Sequence, residues 1–430
     1  MGISLFSIIL ALILLMILVY LKVNVLIASI LSSILVAGMS GMPLLGTMTG
    51  DYLSGMGGFL SGNFLIFASS ALFAQIMQES GAAAAFAKLM CRIFGKRFGV
   101  YGCMLAIALM TYGGISVFVI MFAAYPILLA VFKEADLPRK YIPGVFYGSV
   151  ATFASAMFPG TPQLNNIVPT QYLGTTASAA PVVGTICGLV CMIMLVCYCE
   201  HLFRKARKNQ WGFEDGNQNA NDITVDDKGM NGILAMIPML LLITALNILK
   251  WNVIVATLLA IFSGLLLFWK YIPDKRKTIN QGTMSCVNVV ISIAAVVGFG
   301  TVVKGSSGFQ FLITTLQNSA GNPLISLAVA SSLIAGATGS GSAGTALSMQ
   351  VIADKYLALG VQPQILHRIV TMSSVSFDSL PHNGGVVGLM DYSGYSYKEA
   401  YFPVFVTSVV FTTISLVLGV GLGMMMYPIK

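Results

Sequence analysis

Hydrophobic residues occur in long runs, divided by short polar punctuation. Runs at 3–21, 24–41 and 59–77 are almost free of charge. Each is long enough to be a helix crossing a hydrocarbon layer about 30 Å thick. The first has no basic leader and no small-residue cleavage site, which predicts a retained helix. A Gly-rich connection carrying Asp51 is expected over 41–58, and a basic loop with Lys88, Arg92, Lys96 and Arg97 follows the third run. Later runs at 180–198, 233–249, 252–269, 284–303 and 401–425 read the same way. The stretch 201–232 is the one strongly hydrophilic segment and reads as a loop between two halves.

Two pairs of segments depart from simple spans. The apolar block 100–131 is too long for one ordinary span and has Thr111-Tyr112-Gly113-Gly114-Ile115-Ser116 at its centre. Basic residues flank it on both sides, which predicts a re-entrant hairpin with its tip at the glycines. Two short spans, or one long tilted span, is the competing reading. The block 323–357 carries Thr338-Gly339-Ser340-Gly341-Ser342-Ala343-Gly344-Thr345 in the matching place. The segment 151–169, ATFASAMFPGTPQLNNIVP, starts as a small apolar run and is interrupted by Pro159, Gly160 and Pro162. Its counterpart, 375–387, is VSFDSLPHNGGVV. Proline removes a donor and clashes with the preceding turn. In a membrane the freed backbone is tolerated only inside protein or beside a water-filled cavity. Paired broken helices point to a transporter's binding site.

The expected fold is therefore an all-α polytopic membrane protein built from two inverted repeats. It has about ten transmembrane helices, two re-entrant hairpins and two broken helices. The first repeat covers 1–200, with a hairpin at 98–132 and a broken helix at 141–172. A cytoplasmic linker covers 201–232. The second repeat covers 233–430, with a hairpin at 322–358 and a broken helix at 365–392.

Composition agrees with a membrane protein: 57% of the 430 residues are hydrophobic and 9% are charged. Soluble domains have about 25% charged residues. The net charge of +8 does not imply nucleic acid, because the basic residues lie in loops. Alternating the loops between two sides puts 18 of the 23 Lys and Arg on one side and 5 on the other. Positive charge marks the cytoplasmic side, so both termini are expected outside. The seven cysteines lie mostly in apolar runs and read as reduced, structural thiols.

The hairpin tips and breaks hold the candidate chemistry. Half-helix N-termini present free N–H groups and a partial positive charge of about +0.5, which suits a carboxylate. No Arg or Lys is expected at mid-membrane except Lys304 near a span end; His367 and Arg368 read as outer-face residues. Candidate substrate ligands are Tyr112, Gly113, Gly114, Ser116, Thr161, Gln163, Asn165, Asn166, Ser340, Gly341, Ser342, Thr345, His382 and Asn383. For each Ser or Thr, helix packing competes with ligation. Asp378 lies within the second break, and His382 follows Pro381. Ionisable groups inside membranes are functional by default. Burial can raise an Asp pKa by about 3–5 units, so Asp378 is the expected proton carrier, with His382 as a second proton-coupling candidate. A capping Asp that never titrates is the alternative. Glu79, beside Ser80-Gly81, reads as an interfacial cap.

The segments PGTPQLNNIVPTQYLGTTASAAP (159–181) and DSLPHNGGVVGLMDYSGYSYKEAY (378–401) resemble the gluconate:proton symporter family of the ion-transporter superfamily. The tip TYGGISVFVIMFAAYPI (111–127) is similar to hairpin tips of the dicarboxylate branch. The family implies proton-coupled uptake of gluconate, 3-hydroxybutyrate or similar hydroxy-acids. The DSLPHNG form resembles the branch for short acids. The superfamily implies a homodimer in the bacterial inner membrane and an elevator mechanism. The Ser-Asn-Thr tip motif of sodium-coupled dicarboxylate carriers is missing, which weighs against sodium. A sodium-coupled carboxylate symporter or a cation/proton antiporter remains the alternative. The expected partners are a small organic anion, a proton and the bilayer. No cofactor, metal or enzymatic activity is expected, because no cluster of acidic, His or Cys residues stands at a membrane face.

Overall fold

The computed structural model describes residues 2–21, 23–213, 228–309, 311, 321–381 and 383–429, and among them every regular element is a helix. Among these residues, four helices are long and apolar enough to cross a membrane: Leu44–Glu79, Val117–Glu134, Pro181–Lys208 and Tyr397–Met426. Shorter apolar helices make up much of the rest. Asparagine starts several of them. Asn24, Asn231, Asn252 and Asn322 each accept the backbone N–H two residues on, satisfying a donor the helix leaves free.

The first half begins with α1 (Gly2–Tyr20), α2 (Val25–Met39) and α3 (Leu44–Glu79). The region expected to be a connection is therefore helical from Leu44, with a π turn at Thr47–Tyr52. One of its glycines, Gly55, is there for close packing. A Cβ at Gly55 would overlap the side chain of Thr301 and stand 3.3 Å from the Cα of Gly298. Small residues let membrane helices approach this closely. The partner is α11 (Lys275–Gly305), whose contact with α3 is the most extensive between any two helices described. With α9 (Gly232–Asn247) and α10 (Val253–Phe268), α1–α3 and α11 form one packed body.

The interrupted segments come next and pack against these helices. α4 (Ala82–Tyr112) is kinked at Gly95 (φ 67°, ψ 179°) and turns at Gly113-Gly114 into α5 (Val117–Glu134). The arms of this hairpin lie against each other, so the glycines do form a tip and not part of one long span. α6 (Ile142–Val150) leads through a π turn at Phe153–Met157 into a non-helical stretch containing Pro159 and Pro162, and α7 (Leu164–Leu173) restarts beyond it. Then comes α8 (Pro181–Lys208). Its last turn includes Lys205, Arg207 and Lys208, so 201–208 is helix where a loop was expected. Basic residues there suit the negative end of the helix dipole. Most of the remaining linker, 214–227, lies outside the described residues.

The second half also contains a hairpin and a break. After α9–α11, α12 (Pro323–Thr338) and α13 (Gly341–Ala358) form a hairpin with its turn at Gly339-Ser340. α14 (Pro363–Ser373) and α15 (Gly384–Ser393) flank the second break, and α16 (Tyr397–Met426) follows. Some of the loops that the alternation puts on one side touch one another. Lys228 donates to the carbonyl of Glu79 at 2.5 Å. Lys140 and Lys205 stand over the ring of Trp211 at 4.9 and 5.9 Å. Among loops given to the other side, Lys304 pairs with Asp354 at 3.0 Å.

Candidate functional site

Each hairpin tip is built in the same way and held by an amide from a break. Ser116 caps α5, its hydroxyl accepting from the Val119 N–H at 3.4 Å; Ser340 caps α13, accepting from the Ala343 N–H at 3.4 Å. Gly114 (φ +89°) and Gly339 (φ +59°) take the left-handed conformation that these tight turns require. Gln163, in the first break, donates from Nε2 to the carbonyls of Thr111 (2.7 Å) and Ile115 (3.1 Å). Asn383, in the second, donates from Nδ2 to the carbonyl of Gly339 (3.0 Å). Carbonyls left over at helix ends thus find donors, as buried backbone must.

Several expected substrate ligands are engaged in this bracing. The Tyr112 hydroxyl donates to the Pro159 carbonyl at 2.8 Å. Thr161 is buried and donates to the Tyr112 carbonyl at 3.3 Å. Asn166 is fully buried, and its Nδ2 donates to the carbonyls of Thr161 and Ala177, each at 2.8 Å. Asn165 donates to the Ser374 hydroxyl at 3.4 Å, which ties one break to the other. The Asn383 Oδ1 accepts from the Tyr147 hydroxyl at 2.8 Å and from the Val386 N–H at 2.9 Å. A Cβ on Gly113 would overlap Met239, so its role is close approach to α9. His382 lies outside the described residues.

His367 and Arg368 correct the sequence reading: both are fully buried, not on an outer face. Arg368 reaches from α14 across to the first break. Its guanidinium donates to the carbonyls of Ala156 (3.2 Å), Met157 (3.3 Å), Ala177 (3.4 Å) and Ala179 (2.7 Å), and to Asn166 Oδ1 (3.3 Å). His367 bridges the Thr175 hydroxyl (2.7 Å) and Asn166 Oδ1 (3.2 Å). The cost of burying a guanidinium is offset where every donor finds an acceptor.

Asp378 is buried at the second hairpin. Its Oδ1 accepts from the Ser379 hydroxyl at 2.8 Å, and its carboxylate accepts the backbone N–H of Gly341. A Cβ on Gly341 would stand 3.1 Å from Asp378 Oδ2, so only glycine brings the start of α13 this close. Farther along α13, the Thr345 hydroxyl is buried and has no hydrogen-bond partner among the described residues. Ser342 is half-buried one turn from it.

Three of the expected ligands meet in one cavity of about 330 Å³: Gly114, Ser116 and Gln163. Its opposite wall is α3, through residues including Ser70, Gln75 and Gln78. The first hairpin and break therefore face α3 across it. Among the described residues, none that lines it is charged. The starts of α5 and α7 both open onto it, through Ser116 and Val119 and through Gln163 and Leu164, and α7 has no side-chain cap. Two positive helix ends, side-chain amides and a hydroxyl form a setting for a small anion. The α3 residues escaped the sequence reading, which took Gln78-Glu79 for the end of a span. The signal was present: Phe67, Ser70, Ala71, Ala74, Gln75 and Gln78 recur at helical spacing on one face.

Comparison with known proteins agrees with this architecture. A family model described as GntP family permease matches residues 3–427. The uncharacterized transporter YxjC of Bacillus subtilis is 28% identical over 407 aligned residues, covering 84% of this chain and 86% of that protein. The solved structure of the Alcanivorax borkumensis YdaH transporter superposes with a TM-score of 0.62 at 15% identity, covering 89% of this chain and 90% of that one. Neisseria gonorrhoeae MtrF, described among antimetabolite efflux pumps, gives 0.60 at 11% identity, covering 89% and 84%. At these identities the two structures speak for a shared fold alone.

Proposed function

The chain belongs to the GntP family of permeases and is a membrane transporter, and from that premise we propose that it takes up small hydroxy-carboxylates, such as 3-hydroxybutyrate or gluconate, together with protons. The observation that carries the substrate class is the cavity at the first hairpin tip. It is uncharged, about 330 Å³ in volume, and faced by two helix N-termini. That volume is within the range of small-molecule sites. The helix ends complement the carboxylate, while Gln75, Gln78 and Ser116 suit its hydroxyl groups.

Asp378 is the proposed proton carrier. Ionised, it accepts the Gly341 N–H and holds the second hairpin to its break. A proton removes charge from that acceptor and loosens the hold. A monoanion crossing alone works against an inside-negative potential of about 2.3 kcal/mol per 100 mV; one proton cancels that term. In this reading α1–α3 and α9–α11 are the scaffold, and the hairpins and broken helices form an elevator moving along it. The two halves are inverted repeats, the scaffold pairs two copies into a homodimer, and the basic loops face the cytoplasm of a bacterial inner membrane, with both termini outside.

The test is uptake of labelled 3-hydroxybutyrate and gluconate into proteoliposomes without sodium. Accumulation under an inward proton gradient, abolished by a protonophore, is expected. Uptake that needs sodium and ignores the proton gradient would replace the proton in this account.

A further inference from the structure

A second cavity, about 190 Å³, lies where the loop after α7 meets the turn between α9 and α10. Hydroxyls of Thr170, Thr175, Thr176 and Ser178 line it, with Lys250, Trp251 and Asn252 on the facing side. Lys250 is exposed, and among the described residues no carboxylate pairs with it. Its backbone takes the left-handed conformation (φ +55°), which a non-glycine residue adopts only when the surroundings hold it there. The following residues, Asn252 and Val253, place the positive end of α10, a helix of 16 residues, at the same cavity. A cation, a helix N-terminus and several hydroxyls thus converge on a space the size of a small organic acid, whereas no charged residue lines the cavity at the first tip.

We propose that this cavity is a capture site, a second binding site that takes the carboxylate before it reaches the cavity at the first tip. The proposal rests on the functional reading above for the identity of the anion. Lys250 supplies the long-range attraction, and the Thr176 hydroxyl and the start of α10 fix the orientation of the bound acid, since Thr170 and Ser178 already donate to the Ile167 carbonyl and to Asn247. The wall is tied to the first break. Ser178 donates to Asn247 Oδ1 at 3.2 Å, and Asn247 donates from Nδ2 to the Gly160 carbonyl at 2.8 Å. Thr175 leads to the same break through His367 and Asn166. Gly160 (φ +93°) has no room for a side chain beside Asn247, so a shift of that asparagine displaces the break. Occupancy of the capture site therefore bears on the segment that carries Pro162 and Gln163.

Trp251 makes binding visible without transport. The chain has three tryptophans, and replacing Trp211 and Trp269 by Phe leaves Trp251 as the only reporter. In detergent, 3-hydroxybutyrate and gluconate should change its fluorescence saturably, and Lys250→Gln should weaken that binding by about tenfold, as loss of a charged contact implies. Lys250→Arg should retain it, and Thr176→Val should weaken it about threefold. In proteoliposomes Lys250→Gln should raise KM and flatten its salt dependence while kcat stays the same. A response identical in Lys250→Gln overturns the capture site. So does a response to added phosphatidylglycerol but to neither acid, which would make the lysine a lipid anchor. Saturable binding in a protein that takes up neither acid would contradict the transport reading and leave this site standing.

Discussion

The side-chain amide of Gln163 donates to the carbonyl of Thr111 at 2.7 Å, so the first break holds the first hairpin tip. Gln163→Leu would take this donor from the Ile115 carbonyl and leave the Thr111 carbonyl with the Gly114 N–H alone. A buried group left unsatisfied costs about 1–3 kcal/mol. A lowered melting temperature and at least a tenfold loss of uptake are expected. Wild-type melting and uptake in that variant would mean that the tip is held by something else.

Arg368 joins the halves through carbonyls and not through a carboxylate. Arg368→Leu removes several charged hydrogen bonds, each contributing about 1.5–3 kcal/mol. Strong destabilisation is expected in a melting assay. Arg368→Lys should rescue little, because an ammonium cannot reach acceptors spread around a planar fork. Full rescue by lysine would show that charge alone matters there.

Asp378→Asn keeps the shape and removes the titrating group. Uptake driven by a pH gradient should vanish, while exchange of labelled for unlabelled acid continues. Normal gradient-driven uptake in this variant takes Asp378 out of the coupling mechanism.

Gly55 faces Thr301 at the closest approach of α3 and α11. Gly55→Val places branched carbon where the Thr301 side chain stands, and overpacking of this kind costs about 1–3 kcal/mol. The variant should melt earlier than wild type, and a paired Thr301→Ala should restore part of the loss. An unchanged melting curve for Gly55→Val contradicts this helix contact.

The hairpin tips and breaks were legible in the sequence because glycine and proline interrupt apolar runs, and few local causes mimic that. Gly113-Gly114 and Pro159 to Pro162 were read in place for this reason. Gly55 reads as part of a connection because glycine serves loops and close helix contacts alike. Only the facing helix, with Gly298 and Thr301, decides between them. Arg368 is assigned to the outer side by the alternation of loops, and His367 with it as its neighbour. Their acceptors exist only because a break some 200 residues earlier in the chain frees its carbonyls. Periodicity within one helix carries no trace of that. Similarly, the sequence offers the amides of Asn166 and Asn383 as substrate ligands, whereas their Nδ2 groups donate to backbone carbonyls.

The claim on which the account rests is that a carboxylate binds where the start of α5 faces α3. Ser116 is exposed at this cavity and can report on it. With the seven native cysteines replaced by Ala or Ser, Ser116→Cys gives a single thiol for maleimide labelling. Whichever acid the protein accumulates should slow labelling in a saturable way, while glucose leaves the rate unchanged. Labelling at one rate with and without a saturating, transported acid would contradict the account.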